Sequence, residues 1–81
     1  MKKILKFQAS WCGPCKMLSK TFSQIETELE IEEVDVDTNP QLTTQFKIRG
    51  VPTVVMLDDD VEVKRFVGVK SKEEIQNWIN N

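Results

Sequence analysis

The stretch Trp11-Cys12-Gly13-Pro14-Cys15-Lys16 decides how this chain is read. It holds both cysteines and stands where one periodicity gives way to another. Upstream, Ile4, Leu5 and Phe7 form an apolar run among lysines, short enough for a strand. Downstream, Met17, Leu18, Phe22, Ile25 and Leu29 recur at spacings of one, four, three and four, which predicts an apolar helical face over residues 13–29. Pro14 suits the first turn of that helix, where a backbone N–H has no partner in any case.

The same reading extends to the rest of the chain. Ile31 to Asp37 sets Ile31, Val34 and Val36 against four acidic residues, the pattern of a parallel strand. Asn39-Pro40 marks a turn and a short helix that buries Leu42, Phe46 and Ile48. Thr53 to Leu57 is apolar nearly throughout and predicts a central strand. Asp58-Asp59-Asp60 is a hairpin turn, and Glu62 to Val67 the returning strand, interrupted by Gly68. Ser71 with Glu74 forms a capping-box signature for a last helix that buries Ile75, Trp78 and Ile79. The order is β-α-β-α-β-β-α, an α/β chain whose first three elements make a right-handed βαβ unit.

Composition bounds the function. With 81 residues there is room for one domain, spanning residues 1–81, with a modest core. A net charge of −2 gives no basic footprint for nucleic acid. No apolar run reaches the ~20 residues needed to cross a bilayer. Lys6, Gln8 and Ser10 interrupt any signal-peptide core after Lys2-Lys3, so a cytoplasmic location is expected. In that reducing compartment a cysteine pair points to catalysis or metal binding more than to a permanent clamp. The chain has no histidine, which excludes Cys–His and Ser–His–Asp machinery.

Taken alone, C-x-x-C is compatible with zinc, a structural disulfide or redox chemistry. Zinc needs four ligands, and one chain offers two cysteines. A structural disulfide over so small a loop would restrict the unfolded chain little. Placement at a helix start favours redox chemistry, because unpaired N–H groups there stabilise a thiolate on Cys12. A helix terminus contributes roughly 0.3–2 kcal/mol, up to about 1.5 pKa units, which brings a free thiol from about 8.5 to around 7.

Trp11-Cys12-Gly13-Pro14-Cys15-Lys16 resembles the thioredoxin signature. Asp35-Val36-Asp37, Arg49-Gly50-Val51-Pro52-Thr53 and Gly68 follow in that family's order, over nearly the whole chain. The resemblance implies a minimal thioredoxin fold, a four-stranded mixed sheet with helices on both faces. It implies a protein-disulfide reductase with no bound cofactor and a redox-active Cys12–Cys15 disulfide. In it Cys12 attacks, and the more buried Cys15 resolves the mixed disulfide. It further implies a cis Val51–Pro52 bond facing the cysteines, and a substrate surface drawn from Trp11, Gly13, Pro14, Val51, Pro52 and Gly68. The implied partners are an NADPH-dependent thioredoxin reductase upstream and disulfide-bearing proteins such as ribonucleotide reductase downstream, met by a monomer. Two alternatives stand beside this reading: a glutathione-coupled, glutaredoxin-like donor, suggested by the short length, and a thioredoxin-fold binding subunit.

Three departures from the family pattern stand out. The chain opens directly on the strand that leads to the motif. Lys20 occupies the place of the proline that kinks the active-site helix in many thioredoxins, which predicts a straighter helix. Lys6 stands six residues before Cys12, where the family carries a buried aspartate, and Glu33 aligns with the partner lysine. A charge-swapped Lys6–Glu33 pair beneath Cys15 is expected, with Glu33 or a water it holds moving the proton. The alternative is that both side chains reach out to solvent.

Overall fold

Strand β1 (Lys2–Gln8) alternates its side chains between two faces, and this alternation organises both cores. The computed structural model describes residues 1–81. After β1 come α1 (Gly13–Phe22), β2 (Glu30–Asp35), α2 (Pro40–Gln45), β3 (Thr53–Asp58), β4 (Val61–Val67) and α3 (Lys72–Asn80). The sheet order is β2-β1-β3-β4. β1 runs parallel to β2 and antiparallel to β3, and β4 returns antiparallel beside β3. The turn between β3 and β4 places Asp59 and Asp60 at φ 50° and 69°, a conformation aspartate tolerates better than most residues.

Ile4 faces a cluster with Leu18 and Phe22 of α1, Val54 and Met56 of β3, Phe66 of β4, and Ile75 and Ile79 of α3. Leu5 and Phe7 face the other way, with Val34, Val55 and Leu57, and Leu42 and Phe46 pack against them. Helices therefore cover both faces, as expected for the minimal thioredoxin fold. Each large side chain so buried contributes about 1.5–3 kcal/mol relative to exposure. Thr53 to Leu57 is fully buried, in keeping with the central place of β3.

The structure corrects three expectations. α1 ends at Phe22, not near residue 29. The Ser23 hydroxyl donates to Lys20 O at 2.6 Å. Gln24 N and Ile25 N then reach back three residues, to Thr21 O and Phe22 O, which tightens and closes the helix. Ile25 and Leu29 still pack on the core, but from the following loop. Gln76 of α3 clasps that loop, donating to Glu26 O at 2.9 Å and accepting from Glu26 N at 3.3 Å. Met17 is 63% exposed and lies outside the core. Its neighbour Leu18, about 100° round the helix, takes the inward position. Trp78 is half-buried, edge-on to Phe66 with ring centroids 5.0 Å apart.

α3 starts as its sequence signature indicates. Glu74 N donates to Ser71 Oγ, and Ser71 N donates to Glu74 Oε1, each at 3.1 Å. That backbone hydrogen bond from Ser71 holds the Glu74 carboxyl below its ordinary value of 4.5. A depressed carboxylate stabilises the fold above its unfolded pKa, and the contribution disappears as pH falls through the lowered value. Glu74→Gln keeps the box geometry and removes the titration. Urea unfolding from neutral pH down to acid should show near-parental stability at pH 7 and a shallower loss on acidification. An equal loss in both proteins would refute the assignment.

Candidate active site

Cys12 is the N-cap of α1, with φ −92° and ψ 106°, and Pro14 occupies the first turn. This extended conformation turns the Cys12 side chain back over the helix start. Cys15 N donates to Cys12 Sγ at 3.1 Å. No acidic side chain stands in the first turn to oppose negative charge on that sulfur. Cys12 and Cys15 are joined as a disulfide, with Cα atoms 5.2 Å apart. The two cysteines are buried alike, at 4% and 3% exposure, so burial does not separate them as the sequence led us to expect. Their surroundings do. Cys12 Sγ receives the helix N–H and lies 3.7 Å from Val51 O, whereas Cys15 lines a polar cavity behind the helix.

The Val51–Pro52 bond is cis. Gly68, at φ 90°, donates its N–H to Pro52 O at 2.9 Å, which ties the end of β4 to this loop. Gly50 O accepts from Thr53 Oγ1 at 2.7 Å. Trp11 is 69% exposed, and its indole Nε1 donates to Asp37 Oδ2 at 2.9 Å. Beside it, Val36, Ile48, Gly50 and Val51 line a shallow apolar recess of about 180 Å³. The structure thus gathers Trp11, Cys12, Val51, Pro52 and Gly68 at one end of the sheet. Gly13 and Pro14 form the first turn of α1 and are exposed.

Lys6 and Glu33 are register partners in the β1–β2 ladder, and they pair at 3.2 Å. The two ends of the pair differ. The Lys6 side chain is 5% exposed and the Glu33 side chain 57%. Lys6 Nζ also donates to Ser19 Oγ at 2.8 Å and sits 5.3 Å from the centre of the Phe22 ring. The cavity of about 420 Å³ on Cys15 is lined by Gln8, Lys16, Ser19 and Asp35, and Glu33 is not among its walls. Sequence reading missed Ser19, Gln8 and Asp35 here, and Asp37 as the anchor of Trp11. The one available signal was ladder spacing: Gln8 pairs with Asp35 two residues beyond Lys6 and Glu33. No group of three or more His, Cys, Asp or Glu side chains converges for a metal ion.

The thioredoxin family model matches residues 1–81. The chain belongs to the thioredoxin family. It is 41% identical over 73 residues to a thioredoxin of Mycobacterium tuberculosis, covering 85% of this chain and 63% of that protein. It is 38% identical over 73 residues to a bifunctional thioredoxin reductase/thioredoxin of Mycobacterium leprae, covering 85% of this chain and 16% of that one. Among solved structures, a mutant thioredoxin from Halobacterium salinarum superposes with a TM-score of 0.90 at 32% identity, covering 98% of this chain and 72% of that one. The chain therefore spans somewhat less than two thirds of the length of the M. tuberculosis thioredoxin.

The geometry at Gly68 gives a stability test of the loop. A Cβ there meets nothing within 4 Å, so the cost of Gly68→Ala is conformational, not steric. Holding a non-glycine residue at this φ costs about 1–2 kcal/mol. Urea unfolding should show a loss of that size, and an unchanged midpoint would contradict the conformation assigned to Gly68.

Proposed function

We propose that this protein is a thiol–disulfide oxidoreductase working as a protein-disulfide reductase. The observation that carries the reading is the seat of Cys12. It caps α1, receives the Cys15 N–H, and lies against Val51 O beside the cis Val51–Pro52 bond. In the dithiol form the Cys12 thiolate attacks one sulfur of a substrate disulfide. The substrate S–S bond breaks, and the departing thiolate takes up a proton. Cys15, deprotonated in turn, attacks Cys12 Sγ. The Cys12–substrate bond breaks, the second substrate thiolate leaves, and the Cys12–Cys15 disulfide closes. The substrate gains two electrons and the protein loses two.

Docking draws on the groups around Cys12. The exposed Trp11 face and the apolar recess beside it receive the substrate, and the backbone of Val51 pairs with an extended segment next to the target cysteine. Gly13 and Pro14 leave the approach to Cys12 unobstructed, and Gly68 holds the opposite rim through Pro52. The disulfide is the only cofactor this scheme requires. Recharging falls to an NADPH-dependent thioredoxin reductase. The M. leprae relative, named as both enzymes in one chain, supports that pairing. Disulfide-forming enzymes such as ribonucleotide reductase are fitting downstream targets. A monomer in the cytoplasm suits this cycle, and no helix is long and apolar enough to cross a membrane.

The test is NADPH oxidation with thioredoxin reductase, this protein and a disulfide-bonded protein substrate. Steady turnover is expected. Cys12→Ser should abolish it, and Cys15→Ser should accumulate a mixed disulfide visible by mass spectrometry. Turnover with glutathione but none with thioredoxin reductase would overturn the choice of reductant. Partner binding that survives Cys12→Ser, with no turnover in the parent protein, would replace the reductase by a binding subunit.

A further inference from the structure

One buried charge takes no part in the cycle above. Lys6 lies under α1 with its ammonium nearly sealed from solvent, while its counterion Glu33 sits more than half in water. Sealing a cation while leaving its partner hydrated is costly unless the cation is held by other groups. Lys6 Nζ spends one hydrogen bond on Ser19 Oγ. Ser19 accepts that bond, so its own O–H remains free to donate. Cys15 stands four residues before Ser19 on the same helix, so their side chains are neighbours on one face. Both line the same polar cavity.

We propose that Lys6, acting through the Ser19 hydroxyl, stabilises the Cys15 thiolate, so that Cys15 resolves the mixed disulfide by ionising into the cavity without a dedicated carboxylate base. The inference rests on the reading of Cys15 as the resolving thiol and assigns Lys6 as a positioning residue for it. The step balances. Cys15 Sγ–H gives its proton to solvent reaching the cavity, and the sulfur's electron pair forms the bond to Cys12 Sγ. The leaving substrate thiolate takes a proton from solvent in its turn. Glu33 pairs with Lys6 from the solvent side, and this scheme routes no proton through it.

Other charged groups bear on Cys15 and fix the expected sign. From α1, the Lys16 side chain lines the cavity and adds a second positive charge, but it is exposed and screened. From β2, the half-buried Asp35 lines the same cavity and opposes a thiolate, and its Oδ1 is engaged by the Asp37 N–H at 2.8 Å. From β1, Gln8 Oε1 is buried with no protein donor, and it can accept from the Cys15 thiol but cannot stabilise the thiolate. β3 faces Lys6 with Val54 and adds no charge. The buried Lys6 is the least screened of these groups, and it bears on Cys15 through the Ser19 hydroxyl it holds.

The test uses the Cys12→Ser protein, in which Cys15 is the only thiol, titrated by the far-ultraviolet absorbance of its thiolate. Lys6→Met in that background should raise the Cys15 midpoint by about 1 unit, and Ser19→Ala should raise it by less. Asp35→Asn should lower it. An unchanged midpoint in Lys6→Met overturns the proposal. Where Lys6→Met fails to fold, Ser19→Ala carries the test, and an unchanged midpoint there overturns it equally. No substrate or reductase enters the measurement. A shifted midpoint in a chain without reductase activity would refute only the function above, and an unshifted one in an active chain would refute only the role of Lys6.

Discussion

The hydrogen bond from Cys15 N to the Cys12 sulfur, 3.1 Å long, joins the fold of this protein to its chemistry. It exists because Cys12 leaves the helical conformation one residue before α1 begins and turns its side chain onto the open helix end. The N–H groups there have no partner within the helix, and the helix dipole is positive. A sulfur in that place is worth more as an anion than as a thiol. The rest of the architecture keeps it there. β1 delivers the chain to the turn, Pro14 fits the first turn, and Leu18 and Phe22 pin α1 onto the sheet through the core they share with Ile4 and Val54.

The pleat of β1 sorts the two halves of the redox couple. One face carries Ile4, Lys6 and Gln8 in succession toward α1. Its inner end is apolar and gives stability. Its outer end becomes polar as it nears Cys15, with Lys6 opposite Glu33 and Gln8 opposite Asp35 on β2. Cys12 therefore meets a backbone N–H group and the Val51–Pro52 loop, while Cys15 meets a cavity lined by Gln8, Lys16, Ser19 and Asp35. Two cysteines with the same burial are set in different surroundings by this difference alone.

Much of the fold was legible in the sequence because its signals are local. The C-x-x-C at a change of periodicity, the Ser71–Glu74 box, the Asp59-Asp60 turn (Asp58 still belongs to β3) and the apolar run of β3 each involve neighbours along the chain. The end of α1 was misread because Ile25 and Leu29 keep a helical spacing while packing on the core from a loop. The closing bonds at Ser23, Gln24 and Ile25 leave no mark in an apolar pattern. Met17 was misread for a related reason, since an apolar residue adjacent to Leu18 cannot share its inward direction. Cys12, Cys15 and Pro52 were singled out through the motif and the resemblance it carries, and the structure brings them together. Asp37 under Trp11 and Ser19 against Lys6 were not singled out, because each contact depends on how two elements pack and neither residue type announces it. The Lys6–Glu33 pairing was anticipated from a charge exchange, but the unequal burial of its two ends came only with the structure.

The central claim is that the N-terminal start of α1 makes Cys12 a thiolate near neutral pH. The most direct measurement is the rate of alkylation of Cys12 in the reduced Cys15→Ser protein as a function of pH. The account predicts a midpoint of around 7, below the value of about 8.5 for an unperturbed thiol. A midpoint at or above that unperturbed value would contradict it.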